Sequence, residues 1–190
     1  IQAFAQGDGC CPAGGEYFQD DDCPVSDQAA TLCTLINDYR VSNGLPAIPV
    51  SKSLTAVAEA HTWDHHVNNP AAGANCNQHS WSNSPASGVS WSGCCYTPDH
   101  AQAACMWKKP SEITAGWASS YNSNGYEISV SGTSTPSACL NSWQGSPGHD
   151  GVILNLGQWA SHPWAAVGCS ARWNTCNVWF GDLTDPNPYP

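Results

Sequence analysis

The chain has 190 residues, the size of one ordinary domain able to bury ~70 % of its unfolded surface, and 5 Lys and Arg against 15 Asp and Glu leave a net charge of −10. That balance repels phosphate backbones and anionic lipid, which excludes nucleic-acid binding and polybasic membrane attachment. No apolar run reaches the ~18 residues of a spanning helix, so no transmembrane segment is expected.

Residues 1–26 are rich in Gly, Pro, Cys and Asp without sustained periodicity and read as an extended, disulfide-tied N-terminal arm. Its acidic triplet, Asp20 to Asp22, lacks the spacing of a calcium loop and reads as a solvated turn. From Asp27 the stripe Leu32, Leu35, Ile36, Tyr39 predicts an amphipathic helix ending at Asn43-Gly44. Ser51 is the predicted N-cap of a second helix, with Leu54, Val57, Ala58, His61 and His65 on one face. His61 lies on the apolar stripe and reads as a core histidine, while His66, His100 and His162 carry no motif.

About 70–125 the chain is irregular, with Cys76, Cys94, Cys95, Cys105 and several tryptophans, and reads as a stapled insertion. Thr135-Pro136 and Ser146-Pro147 each place an N-cap residue before a proline, predicting helices through Trp143 and from Pro147 onward. Residues 164–173 and 176–181 are apolar runs of strand length around Asn174-Thr175, a predicted hairpin. Helices first and strands last predict an α+β domain.

Eleven cysteines without zinc-ribbon spacing predict disulfides and an oxidising location: secreted, extracellular, periplasmic or cell-surface. The odd count leaves one thiol over for an intermolecular disulfide or homo-assembly. Ile1 in place of methionine fits a mature chain from which a targeting segment has been removed. Of the ten tryptophans, Trp63, Trp107, Trp143, Trp173 and Trp179 are assigned to the core; Trp81, Trp91, Trp117, Trp159 and Trp164 fall in or beside loops, where they either pack beneath them or stack on a ligand. No nucleophile elbow, phosphate loop, zincin or dinucleotide motif occurs.

Asn37-Asp38-Tyr39-Arg40, Gly44-Leu45-Pro46-Ala47, the helix with Leu54, Ala58 and His61, His79-Ser80, Gly125-Tyr126-Glu127-Ile128, Trp143-x-x-Ser146-Pro147-Gly148-His149, Ile153-Leu154-Asn155 and Val167-Gly168 follow one another in an order that resembles the CAP superfamily. This is the group of cysteine-rich secretory, antigen 5 and pathogenesis-related 1 proteins, also called SCP domains. The Ser-Pro-Gly-His form looks most like its bacterial branch. The resemblance covers about residues 27–183 and implies a three-layer α-β-α sandwich, with 27–190 as one domain. It also implies a cleft lined by two histidines and a carboxylate, able in several members to bind a divalent metal.

By position in that pattern, His79, Glu127 and His149 are the matching residues and the candidate metal ligands. Glu127 sits in Gly-Tyr-Glu-Ile where the family more often has Gly-Glu-Asn-Ile, so Glu112 competes for the carboxylate role. Ser146 takes the place of a second glutamate, and its position before Pro147 makes it a helix cap rather than a nucleophile. Imidazole donors favour Zn²⁺ over Ca²⁺ or Mg²⁺, with Glu127 as third ligand or as a second-sphere group that orients an imidazole. The expected function is extracellular binding of a ligand: a lipid or sterol, a glycan, or a protein partner. The alternatives are a metal-assisted hydrolase with Glu127 as base, and a structural subunit of a cell-surface assembly.

Overall fold

In the computed structural model, residues 6–7, 9–20, 22–73 and 75–187 are described. The helices are α1 (Asp27–Ser42), α2 (Lys52–Asn68), α3 (Ala103–Trp107), α4 (Lys109–Ile113), α5 (Pro136–Gln144) and α6 (Pro147–Ile153). The strands β1 (Gly125–Ser131), β2 (Ala166–Arg172) and β3 (Thr175–Gly181) form one antiparallel sheet in the order β1-β3-β2.

Strand periodicity divides this sheet into two faces. On one, Val167, Cys169, Val178, Phe180 and Ile128 pack with Leu32 and Ile36 of α1, Trp143 of α5 and Ile153 of α6. The opposite face carries Trp179 against α2 and the insertion residues Trp81, Trp91, Tyr96 and Met106. The result is the three-layer α-β-α sandwich expected from the sequence, stapled by disulfides. Between α2 and the sheet the layer is partly polar: Glu127, Ser129, Asn177, Ser170 and Thr62 are all buried there. Each such group must be hydrogen-bonded to make its burial tolerable.

The two long helices start and stop as the sequence predicts. Gly44, with φ of 78°, takes the left-handed position that ends α1. At the start of α2, Ser51 Oγ accepts from the Leu54 amide at 2.9 Å and donates to Asp185 Oδ2 at 2.5 Å. Replacing Ser51 by alanine is expected to cost about 1–2 kcal/mol, read as a lower urea midpoint at unchanged slope. An unchanged midpoint would rule out the cap as a contributor to stability.

Other local expectations need correcting. Thr135 and Ser146 occupy N-cap positions, but neither side chain makes a capping hydrogen bond; the prolines that follow preset the helical φ without one. The hairpin turns at Trp173-Asn174, one residue before the predicted pair, with φ of 48° and 62°, the backbone of a type I′ turn. Trp173 therefore lies at a turn rather than in the core, stacked on His66 at 5.2 Å. Asp20 is fully buried rather than solvated; Asp21 lies outside the described residues.

The described part of the N-terminal arm packs into the domain. Tyr17 and Phe18 join the α2-side core. Arg172, at the end of β2, donates to Glu16 of the arm at 2.5 Å and to Glu59 of α2 at 3.1 Å. Ten cysteines pair as Cys11–Cys23, Cys33–Cys169, Cys76–Cys95, Cys94–Cys105 and Cys139–Cys176. Two of these bonds staple the insertion, one closes the arm on itself, and two join helices to the sheet. Cys10 stands outside the five disulfides and is exposed.

Candidate functional site

The edge strand β1 borders a cleft of about 500 Å³. His79, Glu127 and His149 all line it. They arrive from three elements: the loop after α2, the third residue of β1, and the first turn of α6. Glu112 is elsewhere. Its carboxylate accepts from Lys109 Nζ at 2.6 Å and from the Ser92 amide at 3.0 Å, beside a separate depression. Of the two competing carboxylates, Glu127 is thus the one in the cleft.

Glu127 is buried, and both its oxygens are occupied. Oε2 accepts from Nδ1 of His79 in a short hydrogen bond. Oε1 accepts from the Asn177 side-chain amide at 2.8 Å when that amide is oriented to donate also to Ser129 Oγ. Burial works against a charged ring at His79, but the charge of Glu127 and its hydrogen bond outweigh it and raise the imidazole above its ordinary value. The His79 side chain remains 22 % exposed, so its Nε2 edge is available to the cleft. Burial, and then the charge of His79, push His149 the other way, which keeps its imidazole neutral.

Linkage gives the sign of the pH effect. A raised folded value means that the His79–Glu127 pair contributes fully below the ordinary imidazole value of 6.5 and that this contribution fades as pH rises through the raised one. In Glu127→Gln, the His79 ring is expected to titrate at lower pH than in the wild type, followed by NMR of the ring protons. An unshifted midpoint would remove Glu127 as the cause.

Under this pair lies a second layer built on His61, which the sequence places on the inner stripe of α2, facing the core or a cleft. His61 is fully buried; its Nε2 lies 3.0 Å from the Ser80 carbonyl, which fixes the proton on that nitrogen. Its Nδ1 is 3.6 Å from Glu127 Oε1 and has no hydrogen-bond partner. Burial holds the ring well below its ordinary value, so it stays neutral. Trp81 stacks flat on it at 4.2 Å, and the ammonium of the buried Lys109 sits 5.6 Å from the centre of that indole. His65 bonds the Gln78 carbonyl at 2.8 Å. His61 and His65 therefore anchor the loop that carries His79 to α2.

The rest of the lining mixes aromatic and polar side chains with Ala103, Met106, Ile128 and Val152. Tyr96, hydrogen-bonded to His100 at 2.8 Å, lines the cleft together with Trp107, Tyr126 and Trp159. Tyr126 meets Trp107 at 5.9 Å and Trp159 at 5.5 Å between ring centres. Trp107, assigned to the core from sequence, is partly buried against the α2-side core and also lines the cleft. Of the five loop tryptophans, Trp81, Trp91 and Trp164 are buried beneath loops, Trp117 is partly buried, and Trp159 faces the cleft. No motif marks His100, and only folding of the insertion brings it to the site.

Among the described residues, no group of three or more His, Cys, Asp or Glu is arranged to hold a metal ion. The Glu127 oxygens are committed to His79 and Asn177, which leaves three imidazoles lining the cleft, His79, His149 and His100, the last bonded through Nδ1 to Tyr96.

Neither a protein-family model nor a curated protein matches the chain in sequence. Among solved structures, a cysteine-rich secretory protein from Staphylococcus aureus is similar at a TM-score of 0.50 and 12 % identity, over 84 % of this chain and 41 % of that one. An extracellular protein containing an SCP domain from Bacillus anthracis matches at 0.51 and 15 % identity, over 84 % of this chain and 44 % of that one. At such identities the likeness is one of fold, and the chain spans less than half the length of either protein.

Proposed function

Because the chain has the fold of SCP domains, we propose that it acts outside the cell as a binding protein whose ligand enters the cleft between His79 and Trp159. The observation that carries this reading is a concave site of about 500 Å³ lined by the polar groups of His79, His100, His149 and Gln158 together with the rings of Trp107, Tyr126 and Trp159. An extracellular location is supported by the five disulfides and by the secretory and extracellular descriptions of the two similar structures. No helix among the described residues is long and apolar enough to cross a membrane.

A divalent cation is a second element of the proposal. Nitrogen donors suit Zn²⁺ better than Ca²⁺ or Mg²⁺. His79 and His149 would hold it, and Glu127 would orient the His79 ring from behind, the role a carboxylate plays when it accepts from a metal-bound imidazole. The remaining coordination positions would fall to water or to the ligand. A bound cation would supply a Lewis acid to polarise a ligand oxygen. With its oxygens engaged, Glu127 acts as an orienting group, which favours binding over the hydrolase alternative.

The test joins two measurements on the whole chain. Zinc titration followed by calorimetry should show one site that is lost in His79→Ala and in His149→Ala. A screen of sterol, phospholipid, oligosaccharide and peptide ligands, read by tryptophan fluorescence, should find a binder whose signal depends on Trp159. A binder insensitive to Trp159→Ala and His79→Ala would place its site elsewhere and sink the proposal.

A further inference from the structure

The cleft does not end at Trp159. A second depression of about 360 Å³ lies on its far side, lined by Pro147, Gly151, Leu156 and Gly157. Gly148, Gln158 and Trp159 line both cavities. The space beside Gly148 is open, since a Cβ there would meet nothing within 4 Å. Leu156, 52 % exposed, borders the outer depression. The two together make an elongated groove, a shape suited to a chain rather than to a compact molecule.

The lining narrows the chemistry of that chain. Beside Ala103, Met106, Ile128 and Val152, polar groups also line the groove: His79, the bonded pair Tyr96 and His100, and Gln158, whose amide an acyl chain or sterol would leave without a partner. A polyanion meets a protein of net charge −10 with the Glu127 carboxylate at the floor. Trp107, Tyr126 and Trp159 add flat apolar rings beside those polar groups. Flat faces edged by donors and acceptors complement a pyranose ring, which has C–H faces and a rim of hydroxyls.

We infer that the two cavities form one groove for a neutral, hydroxyl-rich polysaccharide strand, with Trp159 as the shared wall between an inner sugar subsite at His79 and an outer one at Leu156. This rests on the reading of the cleft as a binding site and adds the ligand class and the direction in which the ligand runs. Gly148 lines both subsites, so a bulky side chain there would fill the space at their junction. A strand long enough to cross that junction gains contacts that a single disaccharide cannot make.

The test uses the intact chain and neutral β-1,4-linked oligomers of glucose and of N-acetylglucosamine, two and six rings long, with binding read by calorimetry. The six-ring oligomer of one series should bind at least about tenfold more tightly than its two-ring member, a difference of roughly 1.4 kcal/mol. Gly148→Phe, which fills the junction, should reduce the six-ring affinity to the two-ring level, and Trp159→Ala should weaken both. Leu156→Arg, at an exposed position, supplies the same comparison should Gly148→Phe fail to fold by circular dichroism. Equal affinity for the two lengths, or a long-chain advantage that survives both junction and outer-subsite substitutions, would overturn the inference. Phosphatidylcholine vesicles, heparin and a lysine-rich peptide run alongside. If one of these binds in a His79-dependent way and the neutral oligomers do not, the cleft is a binding site for another class and only the polysaccharide inference falls. If nothing binds the cleft, both readings fall.

Discussion

Gly168→Ala is expected to destabilise the protein by about 3 kcal/mol or more, the upper end of the overpacking range, and to lower the yield of folded chain. Gly168 sits mid-strand in β2, where α2 crosses the sheet. A Cβ there would overlap the carbonyl of Leu54 and the amide of Thr55, which are backbone atoms of the first turn of α2 and cannot swing aside. Relief requires the helix to lift from the sheet, and His61, two turns along that helix, would lift with it. The expected result is a lower urea midpoint together with loss of the His79–Glu127 signature in the NMR titration. A variant with wild-type stability would show that the helix and sheet are less tightly apposed than this contact implies.

The second large effect is assigned to the disulfide between Cys33 of α1 and Cys169 of β2. It closes the longest loop of the five, with its cysteines 136 positions apart in sequence, against 11 for Cys94–Cys105. Chain-entropy reasoning puts the stabilisation at about 5 kcal/mol for the long loop and roughly 3 kcal/mol for the short one. Both cysteines are buried in the sheet–α1 core, so Cys33→Ala/Cys169→Ala loses packed sulfur as well. The double variant should unfold at a markedly lower denaturant concentration than Cys94→Ala/Cys105→Ala. The reverse ranking would show that local constraint of the insertion, not loop length, governs stability.

Which parts of this architecture the sequence discloses follows from where polar residues are buried. Helices α1 and α2 are legible because their apolar stripes and caps agree. Strand β1 keeps the alternation of a strand, Tyr126, Ile128 and Val130 against Glu127, Ser129 and Ser131, but Glu127 and Ser129 of its polar face are buried toward α2, so the pattern does not report which face meets solvent. The hairpin turn is displaced by one residue because Trp173 adopts a left-handed backbone, a conformation no propensity would assign to tryptophan.

The site shows the same division. His79, Glu127 and His149 are found through the order of short motifs, and the structure places them along one cleft. His61 reads as a core residue, and it is one, yet its unpartnered nitrogen faces Glu127. Its position on the inner stripe of α2 alongside His65 is the only signal that could have marked it. Trp107 and His100 come to the cleft through the fold of a disulfide-bound insertion with little periodicity, where nothing local reports on distant partners.

The Arg172 bridge between the arm and α2 has a dynamic consequence. One guanidinium at the end of β2 holds Glu16 and Glu59 together, and the neighbouring hairpin tip stacks against α2 through Trp173 and His66. Arm and hairpin tip should accordingly behave as a single foldon. Amide exchange in both should proceed through one shared opening, slower than the fraying of a terminal segment and faster than the global unfolding that exposes the centre of β3.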